Sequence, residues 1–193
     1  MEKNVFQSYP SLFSGLGKTK NVEVKLHIDE NVRPIHQSHR CIPFHQRKNL
    51  EACVESLLQH DIIEPAVGPT SWVSPVVLVP KPKGGVRLCV DIREANKAIT
   101  RERHLMPTFD EVVHYLNGAK VFGKLDLNQV YHQLVLHPES RHITTFSSHL
   151  GLYRYKRLSF GVNAAAEKFQ DAIATASSDI PNVKNISDDV IIY

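Results

Sequence analysis

Three aspartates stand where their side chains could do chemistry together. Lys124-Leu125-Asp126-Leu127 puts one acid at the end of a buried-looking strand, and Ile186-Ser187-Asp188-Asp189-Val190-Ile191-Ile192 puts two more between apolar runs. Ionised carboxylates buried beside apolar strands are costly unless a cation compensates, and hard divalent cations with oxygen ligands are the natural compensation. Taken singly, each acid has an ordinary reading: an Asp-Asp pair usually serves its own turn, and Asp126 could cap a helix. A second feature is basic. Lys81, Lys83, Arg87, Arg93, Lys97, Arg101 and Arg103 face only Asp91, Glu94 and Glu102 in the same stretch. This excess suits phosphate contacts or, more commonly, a solvated charged face. His132 and His137 are metal ligands in principle, but read better as partly exposed polar residues.

The elements that must position these groups are legible from periodicity. Within residues 45–60, Leu50, Cys53, Val54, Leu57 and Leu58 form the stripe of an amphipathic helix. Residues 73–80 and 86–92 are β-rich runs separated by Lys83-Gly84-Gly85, which predicts a hairpin with Lys81 and Lys83 near its tip. Thr108-Phe109-Asp110-Glu111 has the capping-box pattern, with Val112, Val113 and Leu116 at helical spacing and Gly118 as a stop. Residues 121–127 predict a strand, and 143–146 with 152–155 a pair of strands turning near Gly151. Asn163 is a candidate N-cap for a helix carrying Ala165, Ala166, Phe169, Ala172, Ile173 and Ala176 on one stripe. Residues 183–193 read as two short strands around a turn that holds Asp188 and Asp189. Strands and helices alternate without regular β-α-β spacing, which points to an α+β fold.

Composition sets outer bounds. The 193 residues are 42% hydrophobic, enough for one core or for two small lobes sharing one. The longest apolar runs, such as 76–79, fall far short of the roughly 20 residues of a membrane span, and the N-terminus has no secretory pattern, so an intracellular protein is expected. Cys41, Cys53 and Cys89 are odd in number and lack C-x-x-C spacing, which suits reduced, small apolar residues. The net charge of +3 does not by itself identify a polyanion partner.

Six segments together carry a resemblance. They are Pro75-Val76-Val77-Leu78-Val79-Pro80-Lys81; Arg87 through Lys97, including Asp91-Ile92-Arg93 and Asn96; Lys124-Leu125-Asp126-Leu127; Tyr131-His132-Gln133; Phe160-Gly161 with Phe169-Gln170; and Ser187-Asp188-Asp189. In order and spacing they resemble the reverse transcriptase motifs of gypsy-class LTR retrotransposon Pol polyproteins, from about Tyr9 to the last residue. The resemblance implies a right-hand polymerase fragment: a connector over 1–20, fingers and the start of the palm over 21–120, and part of the palm over 121–193, with the thumb, RNase H and integrase regions of such polyproteins beyond it. The same resemblance implies a location in a cytoplasmic retroelement particle.

It also implies an activity, RNA-directed DNA polymerisation by two-metal transfer of dNTPs onto a primer annealed to an RNA or DNA template. Asp126, Asp188 and Asp189 match the catalytic acids that hold two Mg2+ ions, with Mn2+ as a substitute. Lys81 and Arg87 match residues that grip the incoming triphosphate, with Lys83 a rival for the lysine role. Tyr131 matches the steric gate against a ribose 2′-hydroxyl, and Phe160-Gly161 the segment cradling nucleotide and template. The chain departs from the family pattern at Ser159, Ala166 and Ile186, none of which is a metal ligand. The competing expectation is an inactive or co-opted fragment that only binds nucleic acid or protein.

Overall fold

The computed structural model describes residues 5–20, 22–82, 84–102 and 107–193. After a single helical turn (Val5–Ser8) and a 3-10 turn (Pro10–Phe13) come two short strands, β1 (Glu23–Val24) and β2 (His27–Ile28). The apolar stripe follows as helix α1 (Arg47–Gln59), with Leu50 and Val54 buried. Then come β3 (Ile63–Pro65), β4 (Ser74–Pro80), β5 (Val86–Val90) and β6 (Ile99–Thr100). Helix α2 (Phe109–Tyr115) opens with the expected capping box, in which Thr108 and Glu111 each bond the other's backbone N–H. After it lie β7 (Gly123–Asp126), β8 (Val135–Leu136), β9 (Phe146–Ser148) and β10 (Gly151–Tyr155). Helix α3 (Ala165–Ser177) and the hairpin β11 (Val183–Ile186) and β12 (Asp189–Ile192) close the described order.

These strands build a five-stranded sheet ordered β3-β10-β9-β4-β5 and a three-stranded sheet ordered β11-β12-β7. Small pairs β1-β8 and β2-β6 tie the early chain to later segments. The β4–β5 hairpin runs Val76↔Val90 through Pro80↔Val86. Alternation puts Val76, Leu78, Leu88 and Val90 on one face and Val77, Val79, Arg87 and Cys89 on the other. The first face packs into the core, where α1 lies close enough for Cys53 Sγ to sit 3.8 Å from the Val86 carbonyl oxygen. The chain thus has the mixed α+β architecture that its pattern of runs predicts.

Arg157 is the polar centre of this core. Its guanidinium is buried and donates to four backbone carbonyls: Asp61 at 3.1 Å, Gly17 at 3.0 Å, His132 at 3.0 Å and His60 at 3.2 Å. Two of these acceptors end α1, where a cation complements the helix dipole.

Four details differ from the sequence reading. Residues 142–144 form a 3-10 turn rather than the start of a strand, because Thr144 and Thr145 return their hydroxyls to the carbonyls of Arg141 and His142. Asn163 does not cap α3, whose N-cap is Ala164. Its side-chain amide donates instead to the carbonyls of Asn96 and Ile99. His132 is buried rather than partly exposed. Cys41 is exposed, and all three cysteines are free thiols.

Candidate active site on the acidic hairpin

Strand register brings the acids together. Asp126 lies directly opposite Asp189, and the ladder continues Leu125↔Val190 and Lys124↔Ile191. The Leu127 N–H donates to the Asp188 carbonyl at 3.1 Å. That makes 127/188 the hydrogen-bonded pair and 126/189 the closer, non-hydrogen-bonded kind, with Cα atoms about 4.5 Å apart. By alternation, Lys124, Asp126, Asp189 and Ile191 share one face. Ile186 pairs with Asp189, so Ser187 and Asp188 form a two-residue turn. Ser187 has φ of +52°. Positive φ at the first central position is the type II′ pattern, where glycine is usual, and a serine held there costs on the order of 1–3 kcal/mol.

Burial is not what marks these acids. Every residue of β7 is exposed, as is Asp188, while Asp189 is intermediate. The buried-looking strand is an edge strand whose apolar Leu125 stays 44% exposed, so the desolvation argument does not apply. Like charges placed opposite each other on a ladder repel, and one cation is already in place. Lys124 Nζ sits 2.7 Å from Asp189 Oδ2, and this hydrogen bond, then the charges of Asp189, Asp126 and Asp188, raise the lysine pKa. All three charges therefore reach one ammonium group. Hard carboxylate oxygens around a cation are a donor set chemically suited to Mg2+ or Mn2+. Among the described residues, however, no three His, Cys, Asp or Glu side chains are gathered into a ready cation cage.

Tyr131 packs against α3 through Phe169. Its ring meets Phe160 edge-on at 4.8 Å and Phe169 at 5.9 Å. Burial, then the charges of Asp188 and Glu167, raise its pKa, so its hydroxyl lies within the field of the acidic turn. Glu167 is buried and paired with Arg101. Burial works to raise its pKa, yet the Arg101 hydrogen bond and charge leave it lowered. Phe160 is half exposed, and Gly161 has φ of +95° with Ile92 Cγ2 only 3.2 Å from where a Cβ would stand. Asn96 donates to the Gly161 carbonyl at 2.8 Å and accepts from the Asn163 N–H, pinning this turn beside the end of β5.

Lys81 and Arg87 belong to the other sheet. Lys81 N–H bonds the Gly85 carbonyl, and Arg87 pairs with Val79, which puts both side chains on the hairpin face turned away from the core. Both are exposed, and neither has an ion-pair partner among the described residues. Lys83 and Arg103 lie outside the described residues. The rest of the basic run is largely neutralised: Arg93 bonds Asp91, Lys97 bonds Glu94 and Arg101 bonds Glu167. Hydrogen bonding from Arg93, with the Arg93 and Arg40 charges, holds the Asp91 carboxyl low. His137 is a surface group 3.7 Å from Glu139.

His132 gives the site region a pH dependence. Its ring stacks on Tyr155 and meets Phe160 edge-on. Burial, then the Arg157 charge, lowers its pKa to about 4, against about 6.5 in an unfolded chain. The unfolded state thus binds the proton more tightly. No stability is lost above pH 6.5, and stability falls as pH drops from there toward 4. Between pH 7 and pH 5 the expected loss is about 2 kcal/mol, above the range where the lowered carboxylates titrate. Urea unfolding at both values checks it: His132→Phe should flatten the difference, and an equal fall in that variant contradicts the assignment.

This fold, which sets Asp126 of β7 opposite Asp189 of the β11–β12 hairpin, is that of the fingers and palm of a polymerase. Residues 79–193 match the family described as "Reverse transcriptase (RNA-dependent DNA polymerase)", and the chain belongs to that family. Within it, the chain is similar to gypsy-class retrotransposon Pol polyproteins. It is 35% identical over 164 residues to the retrovirus-related Pol polyprotein from transposon 412 of Drosophila melanogaster, covering 82% of this chain and 13% of that polyprotein. Among solved structures, prototype foamy virus protease-reverse transcriptase superposes with a TM-score of 0.85 at 23% identity, over 98% of this chain and 26% of that one. A foamy viral protease-reverse transcriptase in complex with RNA/DNA hybrid gives 0.83 at 18% identity, over 98% and 26%. The chain therefore spans a small part of each relative. No helix among the described residues is long and apolar enough to cross a membrane.

Proposed function

We propose that the chain carries the nucleotidyl-transfer site of an RNA-directed DNA polymerase, adding dNTPs to a primer paired with an RNA or DNA template. The observation that supports this most is the register that sets Asp126 opposite Asp189 beside the turn of Asp188. Asp126, Asp188 and Asp189 are the residues that would hold Mg2+; bound there, such ions would activate a primer hydroxyl and offset charge on the transferring phosphate.

The remaining roles fall to side chains of this chain. Lys124, paired with Asp189, would have to release that carboxylate for a divalent cation to be held there. Lys81 and Arg87 reach from the β4–β5 hairpin toward the triphosphate, the lysine as a point charge and the arginine as a two-pronged donor. Tyr131, fixed by Phe160 and Phe169, stands against the sugar, and Gly161 lets backbone approach the nucleotide without a Cβ in the way. The foamy viral relative in complex with RNA/DNA hybrid supports a primed template as partner. In this reading, residues 21–120 supply fingers and the start of the palm, and 121–193 the acids.

Primer extension on a poly-A template with Mg2+ tests the proposal. Incorporation of dTTP supports polymerisation. Duplex binding without incorporation supports an inactive or co-opted fragment, and phosphate release without a template supports a phosphohydrolase. The steric-gate role has its own expected result: in a chain extended through the thumb, Tyr131→Ala raises ribonucleotide incorporation at least tenfold relative to deoxynucleotide, about 1.4 kcal/mol of discrimination. Unchanged sugar selectivity counts against the role.

A further inference from the structure

We infer that Gln170 is a positioning residue for the acidic turn, a role that rests on the metal-binding reading of Asp126, Asp188 and Asp189. Gln170 projects from α3, is 3% exposed and uses both ends of its amide on the hairpin. Nε2 donates to the Asn185 carbonyl at 3.3 Å, and Oε1 accepts from the Ser187 N–H at 3.2 Å. The two contacts straddle Ile186 and close on Ser187, the residue held at φ of +52°. A serine in that conformation relaxes toward negative φ unless something holds it. Relaxation would rotate the Ser187–Asp188 peptide and so change where the Asp188 carboxylate stands relative to the 126/189 pair. The amide group therefore acts on the acids through the turn, without touching them. It also links the turn to Tyr131, because its neighbour Phe169 packs on that ring.

The arrangement makes a specific demand on chemistry. One group must donate to a carbonyl two residues before the point where it accepts from an N–H, which an amide side chain does and an isosteric thioether does not. It also states when the brace becomes dispensable: glycine adopts positive φ freely, so a turn with glycine at position 187 needs no holding.

The test is a double-mutant cycle between Gln170→Met and Ser187→Gly, read as Mn2+ affinity of the 193-residue chain by electron paramagnetic resonance, with Ser187 amide exchange followed by NMR. Gln170→Met alone is expected to weaken Mn2+ binding about tenfold, in line with loss of an outer-shell support, and to remove protection of the Ser187 amide. In the Ser187→Gly background the same change should weaken binding less than about twofold. Unchanged affinity in Gln170→Met, or an equal loss in both backgrounds, overturns the inference. Melting curves of each variant separate global unfolding from the local effect. Should Mn2+ binding ignore Asp126→Asn, the metal reading itself fails; Asp126-dependent binding that persists undiminished in Gln170→Met fails only the positioning role.

Discussion

Asp126→Asn is expected to abolish templated incorporation, by about a thousandfold or more, while leaving the fold as stable as before or slightly more so. The two effects have opposite signs for a physical reason. Removing one carboxylate from a site that handles transferring phosphate charge forfeits several kcal/mol of transition-state stabilisation. The same carboxylate stands on an exposed edge strand, directly across from Asp189. Like charges so placed repel, and relief of that repulsion is worth up to about 1 kcal/mol. Primer extension and urea unfolding on the same preparation read both. A variant that loses activity and stability together would mean that Asp126 holds the structure rather than the chemistry.

Arg157→Met is expected to destabilise the chain by about 3–5 kcal/mol, lowering the melting temperature by roughly 10 °C in a chain of this size. Four carbonyls from three segments depend on this one guanidinium: Gly17, His60 with Asp61, and His132. Each bond from a charged donor is worth about 1.5–3 kcal/mol, and removing the donor strands its acceptors. Against that, methionine spares the cost of burying a cation, which keeps the net below the simple sum. Arg157→Lys should recover only part, because a single ammonium cannot reach acceptors spread over three segments. A thermal melt within about 2 °C of the parent for Arg157→Met would contradict this account.

Gln170 and Arg157 act through contacts that no local pattern in the sequence encodes. Periodicity located α1, α2 and the β4–β5 hairpin, because each has a face that must be apolar for the element to pack. The capping box at Thr108 and Glu111 was legible because it is local, complete within four residues. Gln170 stood in a recognised motif without a role, since its two partners lie 15 and 17 residues away and nothing local announces them. Arg157 stood in no motif at all. Its acceptors are backbone carbonyls, which every residue has, so only the folded chain distinguishes it. Asn163 has the composition of a helix cap, but Asn96 and Ile99 compete for its amide.

Burial does not single out the three acids. They looked like charges forced among apolar strands, yet β7 lies at the edge of its sheet and Asp188 at the tip of a hairpin, both reached by solvent. What unites them is register, a property of pairing between segments more than sixty residues apart, which pattern in a single segment does not encode. The resemblance to reverse transcriptases groups the three acids as one metal-holding set, through the order and spacing of motifs, but gives no register.

Asp126, Asp188 and Asp189 are expected to hold divalent cations together. Anomalous diffraction from crystals of the chain soaked in Mn2+ addresses this most directly. Two anomalous peaks on the acidic hairpin, each within about 2.3 Å of carboxylate oxygens from these residues, with Lys124 displaced from Asp189, are the expected result. Crystals that take up Mn2+ elsewhere while Lys124 stays on Asp189 and the acids remain bare would contradict it.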